Sequence, residues 1–126
     1  MKQMSQRQER VAELLRQEIA GLLTRNDFAH PLVNSMVTIS HIWISPDMKH
    51  ARVYFTVMDP NMVIKDVAEA LNLERHRFQK MLAGLDMKYI PRLKFYFDEE
   101  REKSEHLAEV LRKAHQETLQ EDEAEA

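Results

Sequence analysis

The sequence has no cysteine. That excludes disulfides, thiolate metal ligands and thiol nucleophiles, and it suits a reducing compartment. Only two glycines occur, Gly21 and Gly84. Neither a dinucleotide fingerprint nor a P-loop can be built from them, because both need clustered glycines to bring backbone close to phosphate. The opening stretch MKQMSQRQERVAELL holds no unbroken apolar segment of signal-peptide type, and no later run is long enough to span a bilayer. A cytoplasmic protein with no membrane partner is therefore expected.

Catalytic constellations are scarce as well. The histidines, His30, His41, His50, His76, His106 and His115, contain no His-Glu-x-x-His spacing, so no metal or other cofactor is expected. Ser5, Ser35, Ser40, Ser45 and Ser104 lack the glycine context of a nucleophile elbow. Asp98, Glu99 and Glu100 stand where a helix is about to begin, and carboxylates in a first turn are favoured by the helix dipole without any catalytic role. The expectation is a non-enzyme with no catalytic residues and no small-molecule substrate.

What is present is strong periodicity. A length of 126 residues with 44% apolar content favours one domain with a modest core. From Ser5 to about Arg25, Val11, Leu14, Leu15, Ile19, Leu22 and Leu23 recur at three- and four-residue steps, which predicts an amphipathic helix. Strands are predicted near residues 36–44 and 50–58. SMVTISHIWIS is rich in β-branched and aromatic residues, and ARVYFTVM alternates Ala51, Val53, Phe55 and Val57 against Arg52, Tyr54 and Thr56. SPDMKH supplies the turn between them. Ile42 and Trp43 compete for the buried face of the first strand.

Helical spacing returns from Asn61 to about Leu85, with a polar interval at ERHR that either faces solvent or marks a bend. Pro91 ends it. LKFYF then alternates Leu93, Phe95 and Phe97 with Lys94 and Tyr96 to make a third strand at 92–97, and Leu107, Val110 and Leu111 mark a last helix. Three strands with one buried face need helices over that face, so the expected fold class is α+β in two layers. The expected division is a domain over residues 1–100, a C-terminal helix over 101–118 and an acidic, disordered tail over 119–126.

Charge is uneven along this chain. The net charge is −3, yet Glu117, Glu121, Asp122, Glu123 and Glu125 lie in the last ten residues, and residues 1–116 sum to +2. Between Arg75 and Lys94, Arg75, Arg77, Lys80, Lys88, Arg92 and Lys94 face only Asp86. Distribution rather than the total decides whether a polyanion can dock, so an acidic average does not exclude nucleic acid. Arginine forks and lysine point charges suit phosphates, which position a nucleic acid without reading its sequence. The alternative is a protein-interaction adaptor whose basic patch meets an acidic partner.

RQERVAELLRQEIAGLL, VTISHIWISPDMKHARVYFTVM and LDMKYIPRLKFYFDEE together resemble the bacterial ribosome-binding factor A family, over about Arg7 to Asp98. The resemblance implies a single type II K-homology-like domain, ordered helix, strand, strand, helix, kink, helix, strand. It also implies a cytoplasmic, non-catalytic factor, linked to growth in the cold, that binds 16S rRNA on the immature small ribosomal subunit during late maturation. A monomer is expected. Carried onto this chain, RNA contacts would come from Arg7 and Arg10, from Arg75, His76, Arg77 and Lys80 around the bend, and from Lys88, Arg92 and Lys94 beside Pro91. One departure stands out. Family members often carry Ala-x-Gly in the bend, whereas LNLERHRF has no glycine there, which implies a gentler kink or heavier reliance on Arg75, His76 and Arg77.

Overall fold

Ser5 and Gln8 start the first helix. The Gln8 amide donates to Ser5 Oγ at 3.2 Å, and the Ser5 amide donates to Gln8 Oε1 at 2.7 Å, a reciprocal cap of two otherwise orphaned N–H groups. The same Gln8 side chain donates through Nε2 to the Ile44 carbonyl at 2.8 Å, which fixes the helix start against the sheet. The computed structural model describes residues 3–25, 28–84 and 90–125, with side-chain surroundings through residue 118. The elements are α1 (Gln6–Arg25), β1 (Val37–Ile44), β2 (His50–Val57), α2 (Ile64–Leu73), α3 (Arg75–Leu82), β3 (Arg92–Phe97) and α4 (Glu99–Glu125). The α+β class and the strand positions agree with the sequence reading.

The sheet order is β1-β2-β3, with β1 antiparallel to β2 and β2 parallel to β3. The register of β1 shifts between Ile39 and His41. A bulge of this kind flips which parity faces the core. Val37 and Ile39 are buried before it, and Ile42 and Ile44 after it. That settles the competition at the end of β1: Ile42 enters the core and Trp43 lies half-buried on the opposite face.

One face of the sheet, with Val53, Phe55, Leu93 and Phe95, packs against Leu15, Ile19 and Leu23 of α1, Val67 and Leu71 of α2, and Phe78 and Leu82 of α3. Phe78 joins the layers. Its ring lies 4.2 Å from Phe28, just beyond α1, and 5.0 Å from Phe95 on β3. The hairpin between β1 and β2 turns as SPDMKH suggested. Asp47 Oδ1 accepts from the Lys49 amide at 3.0 Å and from Ser45 Oγ at 2.6 Å.

An edge strand presents unpaired backbone groups, and β3 is an edge. Asn72 on α2 covers it. Its Oδ1 accepts from the Phe95 amide at 2.9 Å, and its Nδ2 donates to the Phe95 carbonyl at 3.1 Å. A side-chain amide thus takes the place of a neighbouring strand. Asn72→Ala is expected to cost about 1–3 kcal/mol in chemical denaturation, because both Phe95 groups lose their partner. A change smaller than about 0.5 kcal/mol would mean that water substitutes for the amide.

α4 begins at Asp98, whose Oδ1 accepts from the Arg101 amide at 3.0 Å, an N-cap of the usual kind. Every side chain from Glu99 to Thr118 is exposed, including Leu107, Val110 and Leu111. The helical backbone carries on to Glu125, through position 119 where composition suggested that a tail begins.

Candidate nucleic-acid interface

The bend between α2 and α3 is made at a single residue. Glu74 has φ −88° and ψ 3°, and its carbonyl accepts from the Arg77 and Phe78 amides at 3.0 and 3.1 Å. These dihedrals lie in a region open to ordinary L-residues. Among the described residues only Met48, in the β1–β2 turn, has a positive φ outside glycine. The missing glycine therefore does not remove the bend, and two separate helices replace the single long one that periodicity also allowed.

Phe78 and Leu82 anchor α3 in the core, and helical spacing then divides its cations. Arg75, His76 and Gln79 fall on one flank, toward β3, where they line a cleft of about 400 Å³ with Arg92 and Leu93. Arg77 falls on the other flank and Lys80 on the outward side, one turn beyond His76, and both are exposed. Arg92 also borders a second cleft of about 520 Å³, with Lys49, His50 and Ile90 among its walls. Parallel pairing makes this possible: His50 stands opposite Arg92, and the Arg92 amide donates to the Lys49 carbonyl at 2.8 Å.

The nine nominated residues therefore do not form one cluster. Arg75, His76 and Arg92 converge, whereas Arg77 and Lys80 of the same helix do not line that cleft. Arg7 and Arg10 lie exposed on the first turns of α1. Lys94 points to the sheet face opposite the helices, over the Tyr96 ring at 5.4 Å. Lys88 lies outside the described residues. Lys49 and His50 were missed by sequence reasoning, since only the β2–β3 pairing brings the hairpin turn beside Arg92.

Ion pairs involve few of the described cations, and the nominated ones among them share their unpaired state with Lys49, Arg52 and Lys65. Among the described residues the ion pairs are Arg16–Glu13, Arg101–Glu105, Arg112–Glu109 and the His41–Asp98 contact. None involves Arg7, Arg10, Arg75, Arg77, Lys80, Arg92 or Lys94. Glu69 and Glu74, which the sequence places close by, form no ion pair with them. A guanidinium held at a helix start without a carboxylate partner is available for a phosphate. Among the described residues no cluster of three or more metal-ligating side chains is found, and no described helix is long and apolar enough to cross a membrane.

Among the described residues three carboxylates are held below their ordinary range, Glu13 by the Arg16 guanidinium and then the Gln17 amide, and Asp47 and Asp98 by their own partners. At Asp98 burial pushes the carboxyl up, but the Ser40 hydroxyl, the Arg101 amide and His41 outweigh it and the net shift is downward. At Asp47 the Ser45 hydroxyl and then the Lys49 amide lower it. For Asp98 a depressed folded value means stability that is present above the unfolded carboxylate pKa and lost as pH falls through the folded one. Asp98→Asn keeps the cap but removes the charge. Wild type should melt at a higher temperature than Asp98→Asn near neutral pH, with the difference shrinking below about pH 4. A pH-independent difference would show that the carboxylate charge is not what the site uses.

Element order, a mixed three-stranded sheet and a cationic cleft at a helix–helix bend define a K-homology-like α+β domain. Two solved structures share the fold. The crystal structure of ribosome-binding factor A from Thermus thermophilus superposes with a TM-score of 0.57 at 17% identity, covering 71% of this chain and 93% of that one. A Thermotoga maritima protein solved by NMR and assigned to the same family gives 0.61 at 21% identity, covering 76% and 91%.

Sequence narrows the class to a family. The profile of Ribosome-binding factor A matches residues 7–111. Ribosome-binding factor A of Coxiella burnetii is 34% identical over 112 residues, which is 88% of this chain and 92% of that protein. The Syntrophobacter fumaroxidans protein of the same name is 35% identical, over 86% and 94% respectively. The chain belongs to the ribosome-binding factor A family.

Proposed function

We propose that this protein is a non-catalytic assembly factor of the cytoplasm. It binds 16S rRNA on the immature small ribosomal subunit and promotes late maturation of that rRNA. Family membership supports the ribosomal partner, and the observation that supports an RNA surface is the cleft where Arg75, His76 and Arg92 meet, with no ion pair to any of them among the described residues. Arg75, His76 and Arg92 form its centre, flanked by Arg77 and Lys80 and extended by Arg7, Arg10, Lys88 and Lys94. Residues 1–100 are the RNA-binding unit in this reading, and residues 101–118 a helical extension. The acidic stretch 119–126 repels phosphate and so does not contribute to binding.

Affinity in such a surface comes mainly from phosphate neutralisation and must weaken with salt. Co-sedimentation with free small subunits, mature ribosomes and polysomes across a salt series tests it. Selective association with free small subunits that declines with salt is the expected result. Equal association with all three, or retention on an acidic protein after nuclease treatment, overturns it and supports an adaptor instead.

A further inference from the structure

Helices α1, α2 and α3 cover one face of the sheet, and the other face is left open to solvent in part, with Trp43, Tyr54 and Tyr96 half-buried on it. On that face the strand register builds two rows. Trp43, Arg52 and Lys94 stand side by side across β1, β2 and β3, and so do His41, Tyr54 and Tyr96. The His41 and Tyr54 rings stack at 4.4 Å with 14° between planes, and Tyr54 lies 5.8 Å from Tyr96. The Arg52 guanidinium sits over Trp43 at 5.1 Å, and Lys94 Nζ over Tyr96 at 5.4 Å. Arg52 and Lys94 are exposed and, among the described residues, form no ion pair.

A sheet face turned to water is ordinarily polar, alternating with the buried residues. Here the six central positions hold four rings and two cations, and no acid. The carboxylate at the margin, Asp98, is buried and engaged by Ser40, His41 and the start of α4. Cross-strand ring pairs do stabilise a sheet, and that would explain His41, Tyr54 and Tyr96. It does not explain why both charges of the other row, Arg52 and Lys94, are positive and, among the described residues, without an ion pair.

We propose that this open face is a stacking platform for single-stranded RNA. Unpaired bases would stack on the rings and on the Arg52 guanidinium plane, with Arg52 and Lys94 meeting the adjoining phosphates. Charge sets the direction of the strand. Toward the far end of the sheet, Thr38 and Thr56 border a groove walled by Glu102, Glu105 and Glu109 of α4. The opposite end carries Lys49, His50 and Arg92 with one acid, Asp47, which the Ser45 hydroxyl and Lys49 amide already engage. The RNA therefore leaves toward the hairpin turn, in the direction of Arg92. This adds a contact on the opposite layer to the cleft beside α3 and rests on RNA being the partner, but its test does not use the ribosome.

Trp43 is the single tryptophan of the chain and lies within the platform, so its fluorescence reports on this face. The full chain is titrated at low salt with a dye-labelled, unstructured RNA of about ten nucleotides, read by anisotropy and by Trp43 emission together. Both signals should saturate at the same concentration, and a duplex of equal length should leave Trp43 emission unchanged. Arg52→Gln with Lys94→Gln should weaken binding roughly tenfold or more, and Tyr96→Leu, which keeps apolar cover on the sheet, should weaken it several-fold at an unchanged melting temperature. Binding without a change in Trp43 emission overturns the platform, as does undiminished binding by the Arg52/Lys94 variant or an equal response to duplex. Absence of oligomer binding also overturns it, and co-sedimentation with small subunits then judges the rRNA reading separately.

Discussion

Phe78→Ala is expected to cost about 3–5 kcal/mol and to abolish small-subunit binding through loss of the fold. The ring is fully buried, between Phe28 and Phe95 and within the same cluster as Leu71 and Leu82. Truncation removes its burial and leaves a cavity that three elements would have to collapse around. A domain of this size has a total stability of only about 5–15 kcal/mol, so the loss is a large part of it. Chemical denaturation compared with binding at low temperature separates the two effects. A variant that remains folded and still fails to bind would show that Phe78 does more than anchor α3, and a loss under about 1 kcal/mol would show that the α3–β3 contact is not part of the core.

That core was largely legible in the sequence, because period follows geometry. Leu15, Ile19, Leu22 and Leu23 at helical steps, and Val53, Phe55, Leu93 and Phe95 at alternate positions, all proved buried. Parity in β1 was not legible, since a bulge at Ser40 lets Ile39 and Ile42 face the same way across an odd step. The bend at Glu74 was legible only as a polar interval, for its dihedrals need no special residue. The stripe of Leu107, Val110 and Leu111 was readable as amphipathic, although through Thr118 it faces solvent. Periodicity shows which side is apolar, not what covers it.

The candidate site was legible as composition and not as geometry. Counting charges from Arg75 to Lys94 finds the cations, but three physical facts then sort them. Helical spacing sends Arg75 and Arg77 to different flanks of α3, parallel pairing sets Arg92 beside Lys49 and His50, and strand alternation turns Lys94 to the far face. Of these, only the spacing and the alternation could be read in advance. The pairing joins residues about forty positions apart, and no local signal carries it. Arg52, Trp43 and His41 were not nominated as site residues for the same reason, since each is an ordinary strand residue until its neighbours across the sheet are known.

Replacing Arg75 and Arg92 together by Gln is expected to leave the fold intact and to weaken small-subunit binding ten- to a hundredfold at low salt, as roughly two phosphate contacts are lost. Both residues are exposed, and surface changes of this kind usually alter stability by less than about 0.5 kcal/mol. They stand on either side of one cleft, α3 supplying Arg75 and β3 supplying Arg92, so a phosphate strand passing along it meets both guanidinium forks at once. The dependence of log affinity on log salt should flatten by about two units in the simplest duplex picture. Arg77→Gln with Lys80→Gln removes the same charge from the same region but from the outer flank of α3, where each cation acts singly. Its slope should also fall, while its affinity at low salt falls less. Equal losses from the two pairs would mean that the subunit senses only the total charge of this end of the molecule. A larger loss from the cleft pair, measured by co-sedimentation at several salt concentrations beside thermal melts, identifies the bend itself as the place where the RNA backbone is held.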